Sequence, residues 1–570
     1  MNLSGPIDFK PKLVSALSHY SMEKFKADLI AGIVVGIVAL PLAIAFGIAS
    51  GVSPTVGLIT AIIGGFIVSA AGGCSVQIGG PTGAFIVIVY NIIANFGLEG
   101  LAVATFMAGL ILVALGVFRL GTVIKFIPYP IVVGFTAGIA LTIFSTQIND
   151  FLGLGLKNVP SEFLPKWGMY LSNLGNINWT TLAVGLAALA VIILTPKVSR
   201  RLPGALIAII LVTAVVTLVP GIEVETIGDR FGSLPTDIPQ PHGFELTMAN
   251  INRLLPSAFT IAILGAIESL LSATVADGVT GSRTNSNTEL IGQGMANIIV
   301  PFFGGIPVTG AIARTMTNIT NGGRTPVAGV VHAVVLLLIF IFLMPLINYV
   351  PMACLAAVLV VVSYNMSGWR TIVGLLKAPK SDISVMAVTF FLTVVFDLTI
   401  AIEIGLLLAV VLFLRRVMEN TEIKVYSEQL DVAEGTDLDA AHHEVLDVLP
   451  GVSVYEIDGP FFFGVATKFD EMMRSTLGEK PKVRIVRMRK VPFIDSTALH
   501  NLEILIKSSQ SEGIHIVLSG VKDNVKETLI HAGIDKLIGA DHICPHISVA
   551  VEMANRIVRA SDTARKPALA

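Results

Sequence analysis

The chain has 570 residues, 54% of them Ala, Val, Ile, Leu, Met, Phe, Trp, Tyr or Cys and only 14% charged, and its mean hydropathy is +0.80; a soluble domain spends about a quarter of its residues on charge, so an ordinary soluble fold is excluded and a membrane protein indicated. A formal net charge of −2 leaves no basic surface for a polyanion and argues against nucleic acid as a partner. Cys74, Cys354 and Cys544 have no Cys-x-x-Cys spacing, which argues against a disulfide framework or a thiolate metal cluster.

In chain order, residues 1–27 mix acids with Lys10, Lys12, Lys24 and Lys26 before any apolar stretch, which predicts a cytoplasmic leader and not a cleaved signal peptide. No Asp, Glu, Lys or Arg lies between Asp28 and Glu99, room for about three crossings at roughly 20 residues each. Apolar segments through residues 28–418 predict about fourteen spans, near 29–49, 56–72, 82–96, 100–117, 129–149, 178–195, 204–220, 255–277, 288–303, 310–320, 327–348, 352–366, 382–397 and 399–414. With the leader inside, the loops after even-numbered spans are the basic ones: Arg119 and Lys125, Lys197, Arg200 and Arg201, Arg283, Arg324, then Arg370, Lys377 and Lys380. The longest odd loop carries Glu223, Glu225 and Asp229. An even number of spans returns the tail to the cytoplasm, so both termini are expected there, in a multi-pass protein of the inner membrane.

Spans 3 and 10 are short and begin at glycine-rich breaks, Gly79-Gly80-Pro81-Thr82-Gly83-Ala84 and Gly304-Gly305-Ile306-Pro307-Val308-Thr309-Gly310-Ala311. Thr-Gly-Ala recurs 227 residues on, in the same span of each half. Seven spans per half makes the halves enter from opposite sides, an inverted-topology repeat. A helix that starts inside the membrane leaves its first N–H groups unpaired. Two such starts facing each other would present donors and positive dipole ends to one anion. Thr82 and Thr309 offer hydroxyls there, while Gly83 and Gly310 permit close approach. The competing reading makes Gly-Gly-Pro a plain loop and the small residues helix packing.

Arg314 falls one turn into the second short helix, too costly a charge at that depth to be idle. It reads either as a cation in the anion cavity or as the partner of a buried acid or of helix-end carbonyls. Glu268, in span 8, is the candidate for cation coupling, by a proton or by a metal cation, with Ser272 one turn on as a neutral oxygen ligand. A fixed salt bridge between Glu268 and Arg314 is the alternative. Phe46, in span 1, reads as a cavity wall or as packing.

After Met418 the charge density rises roughly threefold, which marks a second domain. Residues 419–448 are expected to link it, 449–560 to form it and 561–570 to be a disordered tail. Short β-rich runs alternate with helical patterns, which predicts a small α/β fold. Asp495-Ser496-Thr497 sits where a strand turns into a helix, suited to capping or to phosphate. His442, His443, His542 and His546 have no metal-ligand companions at useful spacing. No nucleophile, base and oxyanion-donor set converges in the membrane body, which argues against an enzyme.

The stretches DLIAGIVVGIVALPLAIAFGIASGVSP, GGPTGAF, IESLLSATVADG, TNSNTELIGQGMANIIVPFFGGIP and VTGAIARTMTN resemble the SulP anion transporters, and IDSTAL resembles the STAS domain that follows them. The resemblance covers essentially the whole chain, nearest to the bacterial dicarboxylate and sulfate members. It implies a seven-plus-seven inverted repeat with a core (spans 1–4 and 8–11) and a gate (spans 5–7 and 12–14). It places the anion at Thr82, Gly83, Gly310 and Ala311, with Phe46 at the edge, and makes Ser496 a candidate phosphorylation site. A sodium site carried over by position would use Glu268 and Ser272 with Ile312 in place of a hydroxyl, which favours proton coupling. The expected function is secondary active import of a small oxyanion, sulfate or a related inorganic anion, without a cofactor, by a homodimer held in part by the STAS domain. Alternatives are C4-dicarboxylate uptake, sodium-coupled bicarbonate uptake and an uncoupled anion channel.

Overall fold

The computed structural model describes residues 9–18, 20–122, 128–198, 203–235, 237, 239–396, 398–426, 429–431, 445–474 and 480–565. Lys125, Arg200, Arg201, His442, His443, half of the expected linker and the end of the tail lie outside them. The chain divides into two compact units, Met1–Ala409 and Val410–Ala570.

The first unit is helical because hydrocarbon leaves a backbone no other way to pair its polar groups. Its helices are α1 (Met22–Ala49), α2 (Pro54–Ala71), α3 (Gly83–Val117), α4 (Tyr129–Leu152), α5 (Phe163–Ser172), α6 (Trp179–Val198), α7 (Gly204–Leu218), α8 (Met248–Thr280), α9 (Ser286–Ile299), α10 (Ile312–Thr320), α11 (Val327–Ile347), α12 (Met352–Met366), α13 (Lys380–Val395) and α14 (Leu398–Asn420), the last running on into the second unit. Spans 3 and 4 are the two parts of α3, which breaks at Gly97, where φ is 69°. The remaining predicted spans each match one helix, and α5 is an extra amphipathic helix between spans 5 and 6.

Packing sorts these helices into two groups. In one, α3 lies against α8 and α9, and α1 against α11; in the other, α4 lies against α12 and α13, and α12 against α6. Small residues set the spacing: a Cβ on Gly109 of α3 would stand 2.7 Å from Ile298 N of α9, and one on Gly294 would stand 2.7 Å from Gly109 O. Within the first group, the close approach of α3 and α9 is therefore set by faces that carry no side chain.

The second unit carries a five-stranded sheet. Strands β3 (Glu422–Tyr426), β4 (Val452–Asp458), β5 (Val483–Arg487), β6 (His515–Ser519) and β7 (Ile543–Cys544) lie in chain order, β3 antiparallel and the rest parallel. Val452 and Val454 of β4 face α17 (Ile547–Arg565), while Tyr455 and Ile457 face α15 (Phe463–Arg474) and α16 (Ser496–Ser511), so both faces of the sheet are covered. Asp495 is the N-cap of α16: its carboxylate accepts from Ala498 N at 2.8 Å and Phe463 N at 3.0 Å. Ser496 itself stays exposed.

Candidate functional site

The two glycine-rich breaks of the first unit meet. Gly79–Gly80 (β1) pairs antiparallel with Thr309–Gly310 (β2), Gly79 opposite Gly310 and Gly80 opposite Thr309. Two extended breaks that cross head to tail are what mirrored halves produce, and the crossing pairs backbone groups that hydrocarbon would leave bare. Helix resumes at Gly83 and at Ile312, after Thr82 and Ala311, both extended, at φ −128° and −107°.

Buried side chains hold the crossing. Ala311 N donates to Ile78 O at 2.9 Å, Ile78 N donates to Thr315 Oγ1 at 3.1 Å, and Asn318 Nδ2 donates to Val76 O at 2.8 Å. Asn297 bonds Val308 twice, giving to its carbonyl at 2.8 Å and accepting from its N–H at 2.9 Å. Glu289, fully buried at the start of α9, accepts from Gly73 N and Cys74 N at 2.8 and 2.9 Å and from Gln293 Nε2 at 2.9 Å. Sequence reasoning gave Asn297, Thr315 and Asn318 no role and passed over Glu289, nearer to Arg314 in the chain than Glu268. The only signal was their polarity inside apolar spans.

Next to the crossing lies a cavity of about 470 Å³. Phe46, Thr82, Gly83, Glu268, Ala311 and Arg314 line it from the first group of helices, and Thr136 and Met366 from the second. The hydroxyl of Thr82 is buried there with no hydrogen-bond partner. The leading N–H groups of both resumed helices lack intrahelical acceptors, so two positive ends and a free hydroxyl converge on one space.

Other expected residues stand behind this wall. Thr309 is fully buried and its hydroxyl donates to Gly265 O at 2.8 Å. At Gly310 the missing Cβ would sit 1.4 Å from Gln77 Nε2, so that glycine admits a neighbouring side chain. Ser272 Oγ bonds Thr315 Oγ1 at 3.3 Å, away from Glu268. The cause is register: helix resumes after Thr82 in one half and after Ala311 in the other, so the structural repeat runs two residues past the 227-residue sequence repeat.

The Arg314 guanidinium is 1% exposed. Its Nη1 donates to Gly79 O at 3.4 Å and Nη2 donates to Pro81 O. Gly80, at φ 151°, makes this possible, because a Cβ there would stand 2.1 Å from Nη1. Among the described residues no ion pair joins Arg314 to Glu268, so the cation is held by carbonyls while it lines the cavity. Glu268 lines the same cavity from α8, as do Leu264, Ile267 and, from α10, Ile312. Among the described residues no group of three or more His, Cys, Asp or Glu is arranged to hold a metal ion.

Residues 25–389 match the profile of the Sulfate permease family and residues 445–550 that of the STAS domain. The chain belongs to the Sulfate permease family. It is 42% identical over 527 residues to YvdB of Bacillus subtilis, a candidate sulfate transporter, covering 92% of this chain and 97% of that one. It is 31% identical over 492 residues to the bicarbonate transporter BicA of Synechocystis, covering 83% of this chain and 84% of that one. The murine anion transporter Slc26a9, solved in an inward-facing state, superposes with a TM-score of 0.84 over 96% of this chain and 94% of that one at 18% identity, which shows a shared fold. The family consists of transporters, so this chain is a multi-pass membrane transporter of anions, with a STAS domain at its C-terminal end.

Proposed function

We propose that the chain imports a small oxyanion, sulfate or a related inorganic anion, across the inner membrane by alternating access, with both termini in the cytoplasm and a proton as the coupling ion. One observation carries this: two helix starts from opposite halves, the unpartnered Thr82 hydroxyl and the Arg314 guanidinium converge on one cavity inside the membrane. Such a set of preorganised donors suits a compact anion that must shed its water. The likeness to YvdB adds to the case for sulfate.

A proton is favoured over sodium by the surroundings of Glu268. Leu264, Ile267, Leu271 and Ile312 line the cavity with it, and the Ser272 hydroxyl expected as an oxygen ligand bonds Thr315 instead, while a single carboxylate suffices for a proton. Labelled sulfate uptake into proteoliposomes is expected to run against a concentration gradient and to follow an imposed proton gradient. In Glu268→Gln the proton drive is lost and anion exchange persists. Uptake that tracks a sodium gradient at constant pH overturns the coupling, and absence of concentrative uptake returns the uncoupled channel.

A C4-dicarboxylate is the second reading, favoured by a cavity far larger than one tetrahedral ion needs and by a guanidinium fork. Competition by succinate and fumarate against labelled sulfate decides between them. Regulation is assigned to Ser496, exposed in the first turn of α16, and dimerisation in part to the second unit. Ser496→Asp is expected to change the uptake rate without changing KM.

A further inference from the structure

A second buried cation lies within the membrane unit. Lys166, on the amphipathic helix α5, is 4% exposed. Its Nζ stands 5.9 Å from the ring centre of Tyr90, and among the described residues no carboxylate lies within ion-pair distance. A cation over an aromatic face recovers only part of what an ammonium loses when its water is stripped away. A charge kept in that condition calls for a use, as intramembrane charges do.

Its position supplies one. Tyr90 belongs to α3, seven residues past Gly83, about 10 Å along the helix from the anion cavity. The cavity reaches the membrane face at which α4 begins and α12 ends, through Tyr129, Ser367 and Thr371. Lys166 lies toward the opposite face: the neighbouring Trp167 donates its Nε1 to Ser145 Oγ at 2.9 Å, deep in the second half of α4. There Tyr90 OH donates to Val159 O at 3.3 Å, and the rings of Trp167 and Tyr170 pack 6.1 Å apart. Tyr90, through Lys166 and Val159, joins α3 to the segment that follows α4, while the Trp167 contacts anchor α5 to α4, and together they close the seam on the side where the cavity has no mouth.

We infer that Lys166 is an anion-capture site at that closed seam, freed from Tyr90 when the two helix groups slide apart and meeting the small anion before it reaches Thr82 and Arg314. The inference rests on the transport reading above and adds a separate site to it. The Tyr90 ring then alternates with the anion as the ammonium's partner, so the site is masked when the seam is shut.

Oriented proteoliposomes test it with Lys166→Gln and Lys166→Arg. For labelled sulfate offered at the α5 face, Lys166→Gln is expected to raise KM about three- to tenfold, the loss of one charge-assisted contact. KM from the other face stays at the wild-type value, and Lys166→Arg restores most of the loss. An unchanged KM at the α5 face, an equal rise at both faces, or an arginine variant no better than glutamine overturns the inference. A second readout separates it from the transport reading. Acylation of Lys166 by an impermeant amine reagent at the α5 face, followed by peptide mass spectrometry, is expected to slow severalfold in sulfate relative to gluconate at equal ionic strength. Slowing without transport keeps the site and removes the transport reading; transport without slowing removes the site.

Discussion

The two breaks that meet at the cavity share a sequence pattern and do different work. On the α3 side, the threonine just before the helix keeps its hydroxyl free at the cavity, and Gly80 leaves room for a guanidinium. On the α10 side, the corresponding position is Ala311, the threonine is spent on Gly265, and charge enters one turn later through Arg314. Mirrored backbones thus supply matching dipoles, while the side chains divide the task into a neutral donor and a cation. A two-residue shift in where the helix resumes separates a ligand-facing residue from a structural one.

The largest effect expected from breaking this comparison is at the two glycines. Gly310→Ala drives a methyl into Gln77 Nε2, and Gly83→Ala meets the flexible end of Met366, with Sδ at 2.8 Å. The first is expected to abolish the yield of folded protein, with partial recovery in Gly310→Ala/Gln77→Ala; the second folds and loses transport. Size-exclusion profiles and uptake separate the two outcomes.

Next comes Arg314→Ala, expected to lower kcat/KM for the transported anion by at least tenfold. It also leaves the Gly79 and Pro81 carbonyls without their donor, at roughly 1–3 kcal/mol for a buried unsatisfied group. Arg314→Lys keeps the charge without the planar fork and is expected to fall between. Uptake kinetics and thermal unfolding of the same preparations report both effects.

The threonines give a smaller and sharper contrast. Thr82→Val is expected to raise KM a fewfold with little change in stability, because its hydroxyl has no partner to lose. Thr309→Val is expected to leave KM alone and cost about 1 kcal/mol, the worth of one buried hydrogen bond. Equal KM effects from both would return the site to the 227-residue repeat.

The smallest effect lies in the second unit. Burial, and then the charge of His515, depress the proton affinity of His542, with Asp541 opposing. The folded imidazole binds its proton less readily than the unfolded one. Its contribution is therefore complete above the ordinary histidine range and is lost as pH falls through that range toward the depressed value. Amide exchange near β7 in the full chain is expected to quicken over that interval, and His542→Gln to flatten the dependence.

Sequence alone determined the helical membrane body, the two breaks, the inverted repeat and the α/β second unit. These follow from one-dimensional rules: hydrocarbon thickness fixes span length, the cost of bare backbone confines breaks to cavities, and alternation marks strands. Thr82, Gly83, Phe46, Glu268 and Arg314 were legible as cavity residues because each is polar, small or bulky at a break or inside an apolar run, whereas Ala311 came only from the family resemblance. Tertiary structure decided the rest. Which face of an extended break looks into the cavity depends on pairing between residues more than two hundred positions apart, as in Arg314 with Gly79, Thr315 with Ile78 and Gly80 with Thr309. The same holds for Lys166 over Tyr90, since no local pattern tells an amphipathic helix which ring it will cover.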